Sequence, residues 1–81
     1  MKKIVSIQEI IQINNWLKER NYPVKLHLRD ACGAQSMWLE SLNSAEQDLI
    51  EKAAKALEEY FTAQGFSIFF SEDKKNLWIT P

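Results

Sequence analysis

The sequence is poor in the residues from which reactive sites and extracellular scaffolds are built. Its 81 residues include one cysteine, one histidine, two glycines and two prolines. A single cysteine cannot form a disulfide within the chain, and small secreted domains usually depend on several disulfides. We therefore expect a cytoplasmic protein. The scarcity of glycine and proline also argues against a long disordered segment.

Long apolar runs and an excess of either charge are missing too. Ten basic and eleven acidic side chains give a net charge of -1, so the chain lacks the positive field that gathers proteins onto nucleic acid or anionic lipid. No run approaches the roughly 18 apolar residues of a membrane-spanning helix. Near the N-terminus, Gln8, Glu9 and Gln12 interrupt the apolar residues. We therefore expect no signal peptide and no membrane partner.

The first apolar pattern with helical spacing covers residues 7–20. Ser6 followed by Glu9 fits a capping box at its start. Pro23 disfavours helical backbone at the residue before it, so we predict that the helix ends near Asn21. The predicted inward face consists of Ile7, Ile10, Ile11, Asn14 and Leu17.

A second helix is predicted in "SAEQDLIEKAAKALEEYFTAQG", residues 44–65. Ser44 and Gln47 match a second capping box, and Gly65 provides a C-terminal stop. The predicted apolar stripe consists of Leu49, Ile50, Ala53, Leu57, Tyr60 and Phe61.

Four short apolar stretches predict strands: "VKLHLRD", "SMWLESL", "FSIFFS" and "LWIT". The predicted order is α-β-β-α-β-β. We expect an α+β fold, a two-layer sandwich in which a four-stranded, mostly antiparallel sheet carries both helices on one face. Residues 1–81 are predicted to form one domain. Its two αββ units, about 6–42 and 43–81, indicate either a pseudo-repeat or a chance resemblance between short apolar strands.

The two predicted hairpins differ in length. The interval from Asp30 to Trp38 is eight residues (30 to 38), and the interval from Asp73 to Trp78 is five (73 to 78). We therefore predict a longer connecting loop in the first hairpin, in or next to "ACG". Functional residues are often found in such loops.

Period-two alternation assigns the strand residues to two faces of the sheet. The set predicted to pack beneath the helices is Val24, Leu26, Leu28, Met37, Leu39, Ile68, Phe70, Leu77 and Ile79. The set predicted to point away from them is Lys25, His27, Arg29, Trp38, Glu40, Phe69 and Trp78. Large aromatic side chains on an uncovered face predict a binding surface. A register shifted by one residue in the second strand, or tryptophans at the sheet rim, are the alternatives.

The segment "RDACGAQSMW" contains the only cysteine and one of the tryptophans. At Arg29, Asp30, Ala31 and Cys32, the chain resembles a family of small bacterial proteins named for an "RDAC" motif. The similarity extends from "INNWLKERNYPVKLHLRDAC" to "NLWIT". The resemblance implies that these four residues matter, and it implies no activity or mechanism.

Cys32 and His27 are the weak candidates for catalysis. A thiol nucleophile needs a nearby imidazole, yet the two residues lie about 15 Å apart if the chain is extended between them. Arg29 would lower the pKa of the thiol and Asp30 would raise it. "HxxDxC" offers three mixed metal ligands, which a second copy would have to complete. We expect no enzyme, no resident metal and no cofactor.

The predicted function is that of a small, non-catalytic binding or self-assembly module. Trp38, Phe69 and Trp78 would be buried against another protein or a second copy, in a homodimer, with a small ligand as a further option. Polar selectivity would come from Lys25, His27 and Arg29, and Asp30 is a further candidate binding residue.

Two other functions belong to different classes. The first is single-stranded nucleic-acid binding on a platform of sheet aromatics, although the sequence has no RNP-type motif and the net charge of -1 argues against it. The second is thiol or metal chemistry at Cys32. Oligomer size, salt-dependent oligonucleotide binding and the thiol pKa would discriminate among the three.

Overall fold

The computed structural model describes residues 4–31 and 34–80. Its elements are α1 (Ile7–Glu19), β1 (Val24–Ala31), β2 (Ala34–Ser41), α2 (Gln47–Ala63), β3 (Ile68–Phe70) and β4 (Asn76–Ile79). The described strands form one sheet in the order β1-β2-β4-β3. Every neighbouring pair in it is antiparallel. The predicted α+β fold and its element order are confirmed.

Both helices pack on the same face of the sheet. Buried side chains from α1, α2 and one face of all four strands form a common core. The inward strand residues are those that the alternation predicted. Six are buried and three are half-buried against the core: Val24, Leu26, Met37, Leu39, Ile68 and Leu77, then Leu28, Phe70 and Ile79.

The two helices end in the same way. Each is followed by a residue of positive φ, Asn21 at 61° and Gly65 at 91°. The next amide then donates back into the last turn, from Tyr22 to the Leu17 carbonyl at 3.0 Å and from Phe66 to the Phe61 carbonyl at 2.9 Å. These bonds define a Schellman motif. The predicted helix ends near Asn21 and Gly65 are confirmed.

The helix starts differ from one another. The predicted capping box of α1 is present, because Ser6 and Glu9 exchange side-chain to backbone hydrogen bonds of 3.1 Å. The predicted capping box of α2 is wrong. That helix begins only at Gln47, after Glu46, and Ser44 lies in the preceding turn with a φ of 52°. The Gln47 side chain instead donates to the Asp73 carbonyl at 2.8 Å, which ties α2 to the connection between β3 and β4.

Part of each predicted helix face is wrong. Ile7, Ile11 and Leu49 were expected inside, but they are 73%, 50% and 41% exposed. In α1 two adjacent rows of the helix are apolar, and only the row of Ile10, Ile13 and Leu17 faces the sheet. Sequence periodicity does not say which of two neighbouring rows will be covered, because the packing of the helix on the sheet decides it.

The predicted long loop in the first hairpin is wrong as well. The ladder between β1 and β2 continues to the pair Ala31 and Ala34, so only positions 32 and 33 separate the strands. The extra residues lengthen the ladder instead. Both strands of the first hairpin have eight residues, whereas β3 has three and β4 has four. Arg29, Asp30 and Ala31 therefore belong to a strand, and Cys32 lies outside the described residues.

The lengths and compositions of the helices bear on membrane insertion. In the described part of the chain, neither α1 nor α2 is long and apolar enough to cross a membrane.

Candidate functional site

The face of the sheet opposite the helices is built by the register of its strands. Residues directly opposite each other in an antiparallel ladder point to the same side. His27 lies opposite Trp38, Ser36 opposite Trp78, and Phe69 opposite Trp78. We call this surface the open face. It consists of Lys25, His27, Arg29, Ser36, Trp38, Glu40, Phe69, Asn76 and Trp78.

The first aromatic stack on the open face joins β1 to β2. The His27 and Trp38 rings are 5.0 Å apart between centroids and inclined by only 13°. The guanidinium carbon of Arg29 lies 5.4 Å from the centre of the Trp38 ring, within cation–π range. His27 Nε2 is also 2.7 Å from Glu40 Oε1, at hydrogen-bond distance. Trp38 is thus held by two neighbours from the adjacent strand.

The second stack joins β4 to β3. The Trp78 and Phe69 rings are 5.0 Å apart and inclined by 27°. Phe69 is 46% exposed, and both tryptophans are half-buried although the helices lie on the other side of the sheet. Their burial therefore comes from neighbours on the open face itself. Each tryptophan therefore has a ring stacked on one face and stays partly exposed.

The two stacks lie next to each other across the centre of the sheet. Trp38 is opposite Asn76 and Trp78 is opposite Ser36, so the two tryptophans are diagonal neighbours on β2 and β4. His27, Trp38, Trp78 and Phe69 therefore form one band that runs across all four strands. We call it the aromatic band. The predicted outward placement of these side chains is confirmed, and the alternative of a shifted register is wrong.

The residues of the "RDAC" segment are only partly placed. Arg29 lies on the open face, and Asp30 pairs with Gln35 in the ladder, but its side chain is outside the described part of the structure. Cys32 is outside it altogether, so the structure does not test Cys32 and His27 as the weak catalytic candidates. Among the described residues, no group of three His, Cys, Asp or Glu side chains is placed to hold a metal ion.

Asn14 has a role that the sequence did not reveal. Its side-chain oxygen accepts from the Leu26 amide at 2.7 Å, and its side-chain nitrogen donates to the Leu26 carbonyl at 2.9 Å. Both bonds reach the outer edge of β1. The helical spacing places Asn14 on the apolar face of α1. An amide among apolar residues was the available signal, since a polar group in that position needs a partner.

Beside Asn14, a groove of about 630 Å³ separates α1 from the edge of β1. Apolar side chains line much of it, including the exposed Ile4, Ile7 and Ile11. The edge of β1 from Lys25 to Leu28 forms part of the opposite wall. We call it the isoleucine groove. The helical spacing placed Ile7 and Ile11 on the inward face of α1, so it gave no sign of an apolar groove here.

Comparison with protein-family models, with curated proteins and with solved structures finds no match to this chain. The resemblance to the "RDAC" family therefore stays a prediction.

Proposed function

We propose that this domain is a non-catalytic assembly module that binds a second copy of itself through the open face. The observation that carries the proposal is the aromatic band. Two tryptophans and a phenylalanine on the face of the sheet opposite α1 and α2 form the kind of surface that proteins bury on association. Tryptophan is also among the residues that contribute most to protein–protein binding.

The charges of the open face are compatible with a pair of identical faces. Arg29 lies opposite Ser36 towards one end of the β1–β2 ladder, and Lys25 lies opposite Glu40 towards the other. Suppose that two such faces pack with their strands antiparallel. The end carrying Arg29 in one copy then lies over the end carrying both Lys25 and Glu40 in the other, twice by symmetry, so each Arg29 can approach a carboxylate and does not meet positive charge alone. Electrostatic complementarity of this kind orients a dimer more than it strengthens it.

The expected association is weak. Burying a few hundred Å² of apolar surface contributes several kcal/mol at about 25 cal/mol/Å². The loss of translational and rotational freedom offsets much of that gain. We therefore expect a dimer that forms at high concentration and dissociates on dilution.

Two features disfavour the alternative of a platform for single-stranded nucleic acid. Bases stack on ring faces that are free, whereas a ring from the neighbouring strand already stacks on one face of each tryptophan of the band, which halves the stacking surface. Glu40 also lies on the open face, and the chain has a net charge of -1. Both oppose the binding of a polyanion.

Sedimentation equilibrium over a wide concentration range tests the proposal. We expect a monomer–dimer equilibrium for the native chain and a monomer for Phe69→Arg. Leu49→Arg is the matched control, because Leu49 is similarly exposed but lies on α2 in the other layer. It should dimerise like the native chain. Circular dichroism verifies that each variant is folded.

A native chain that stays monomeric at every concentration would contradict self-association. So would a Leu49→Arg variant that loses the dimer as completely as Phe69→Arg does. Titration with a labelled oligothymidylate at low and high salt covers the alternative: salt-dependent binding by the native chain that Phe69→Glu abolishes would replace an assembly module with a nucleic-acid platform.

A further inference from the structure

Strand β1 forms a free edge of the sheet. It has eight residues and pairs only with β2 among the described strands. Alternate residues of an antiparallel strand direct their N–H and C=O groups to opposite sides. Leu26 bonds Asn14 on the side away from β2, so Val24 and Leu28 direct theirs to the same side. Unpaired backbone groups on a long edge are a template for another strand.

The isoleucine groove runs along this edge on the helix side. Ile4, Ile7 and Ile11 are 75%, 73% and 50% exposed. A strand added to β1 would place every second side chain on the helix side of the sheet, next to these isoleucines. Apolar side chains at those positions would cover them.

The other side of β1 carries positive charge. Its outward residues are Lys25, His27 and Arg29. The one ion pair found among the described residues joins His27 to Glu40, which leaves Lys25 and Arg29 without a carboxylate partner there. If a second copy of β1 paired antiparallel with this edge, Lys25 of one copy would lie opposite Arg29 of the other. Like charges opposite each other are destabilising. An added strand with carboxylates at the outward positions would match them.

Asn14 occupies the place of such a strand. Its carboxamide offers Leu26 one acceptor and one donor, which is what the peptide group of an added residue would offer. Replacing Asn14 by a peptide exchanges hydrogen bonds of the same kind. Until that exchange, the side chain also blocks unspecific pairing in the middle of the edge.

We infer that the edge of β1 and the isoleucine groove together form a docking site for an extended peptide in which acidic and apolar residues alternate. The peptide adds to the sheet as a fifth strand. Its backbone pairs with Val24, Leu26 and Leu28, its carboxylates face Lys25 and Arg29, and its apolar side chains cover Ile7 and Ile11. Asn14 swings away from Leu26 as the peptide binds.

The probe is a fluorescein-labelled nine-residue peptide of alternating glutamate and valine, titrated with the full chain and followed by fluorescence anisotropy. We expect saturable binding that weakens with added salt. A peptide with lysine in place of glutamate should bind at least about tenfold more weakly. A glutamate–valine peptide N-methylated at alternate residues, which removes the amides that would pair with β1, should not bind.

Substitutions in the chain test the two walls of the site. Ile11→Gln should weaken the glutamate–valine peptide about tenfold, and Leu49→Gln, which replaces a similarly exposed apolar residue on α2, should not change its binding. Asn14→Ala should tighten binding several-fold, since no side chain then competes for Leu26. Amide hydrogen exchange should show protection of Leu28 when the peptide is bound.

Equal binding of the N-methylated peptide, equal binding of the lysine peptide, or an Ile11→Gln variant that binds normally would each overturn the inference. If Asn14→Ala does not fold, Ile11→Gln and the N-methylated peptide still decide it. Phe69→Arg should bind the glutamate–valine peptide like the native chain. The peptide experiments therefore test the docking site independently of the dimer.

Discussion

The two αββ halves of the molecule share a plan and differ in one dimension, the length of the hairpin. Each half has a helix that ends in a Schellman motif. Each has an antiparallel hairpin with an aromatic stack on the open face, His27 with Trp38 in the first and Phe69 with Trp78 in the second. The strands of the first hairpin, however, have eight residues each, and those of the second have three and four.

That difference separates the two outer edges of the sheet. The edge formed by β3 is short, and short edge strands offer little to an unwanted partner. The edge formed by β1 is long, so it is more open to pairing with another strand. Asn14 on α1 limits that pairing because its carboxamide bonds both backbone groups of Leu26. Because the first hairpin is the longer one, only the edge formed by β1 has a long row of exposed backbone groups. The proposed peptide site lies on that side.

The connections of the two hairpins differ correspondingly. Two positions, 32 and 33, separate β1 from β2, whereas residues 71–75 separate β3 from β4. The longer connection is organised by Asp73, whose carboxylate accepts from the Ser71 hydroxyl at 2.6 Å and from the Lys75 amide at 3.0 Å. The short ladder of the second hairpin is thus supplemented by hydrogen bonds within its turn.

The largest expected effect concerns whether the halves fold as one unit. Leu17 and Leu57 are fully buried in the same core, one from each helix. Replacing either by alanine should lower the free energy of unfolding by about 2–5 kcal/mol. Because the core is shared, each variant should unfold in a single transition in urea. Lys18→Ala and Lys52→Ala, at exposed positions of the same two helices, should cost far less. Two separate transitions in either leucine variant would show that the halves are independent.

An intermediate effect should follow from exchanging the residues that end the helices. Asn21 and Gly65 hold equivalent positions, both at positive φ. Glycine has no Cβ to clash there, so Asn21→Gly should stabilise the chain, whereas Gly65→Asn should destabilise it, each by about 1 kcal/mol or less. Thermal unfolding monitored by circular dichroism measures both. Shifts of the same sign would mean that the two helix ends are not equivalent.

The smallest expected effect is confined to the turn of the second hairpin. Two hydrogen bonds hold the pKa of Asp73 below its ordinary value of 3.8. The Ser71 hydroxyl makes the larger contribution and the Lys75 amide the smaller one. A carboxyl group whose pKa is lowered by folding stabilises the native state above its ordinary pKa, and that contribution is lost as the pH falls through the lowered value. Asp73→Asn should therefore destabilise the chain slightly at pH 6, and the difference should disappear in acid.

Urea denaturation of the native chain and of Asp73→Asn, measured from pH 6 down to acid, tests this expectation. Glu72→Gln is the control, since it removes a neighbouring exposed carboxylate. A difference between the native chain and Asp73→Asn that does not change with pH would mean that the ionised carboxylate is not what stabilises the turn.

Most of the fold was predictable because local pattern and tertiary packing agree. The alternation of Val24, Leu26 and Leu28 requires a strand with one apolar face, and the outward position of Trp38 follows from its opposite phase. The Schellman ends were predictable from Asn21 with Pro23 and from Gly65. These signals are short-range, so they do not depend on where the rest of the chain lies.

The errors arose where the pattern had two solutions. The helical spacing of Ile7 and Ile11 is as regular as that of Ile10 and Ile13, so periodicity could not choose the buried row. Ser44 and Gln47 have capping-box spacing, but Ser44 lies in the turn before α2 with a positive φ, so it is not the residue that caps the helix. The eight-residue interval from Asp30 to Trp38 suited either a longer loop or longer strands. Each choice was made by contacts distant in the sequence.

The sequence by itself determined the number and kind of elements, the strand faces and the outward placement of the aromatic residues, because those properties depend on side-chain period and on backbone preferences of neighbouring residues. Only the tertiary structure decided that β1 lies at an edge, that Asn14 reaches Leu26, and that three isoleucines stay outside the core. These features depend on how the helices settle on the sheet and on the order of its strands. Neither is encoded in any local stretch of this chain.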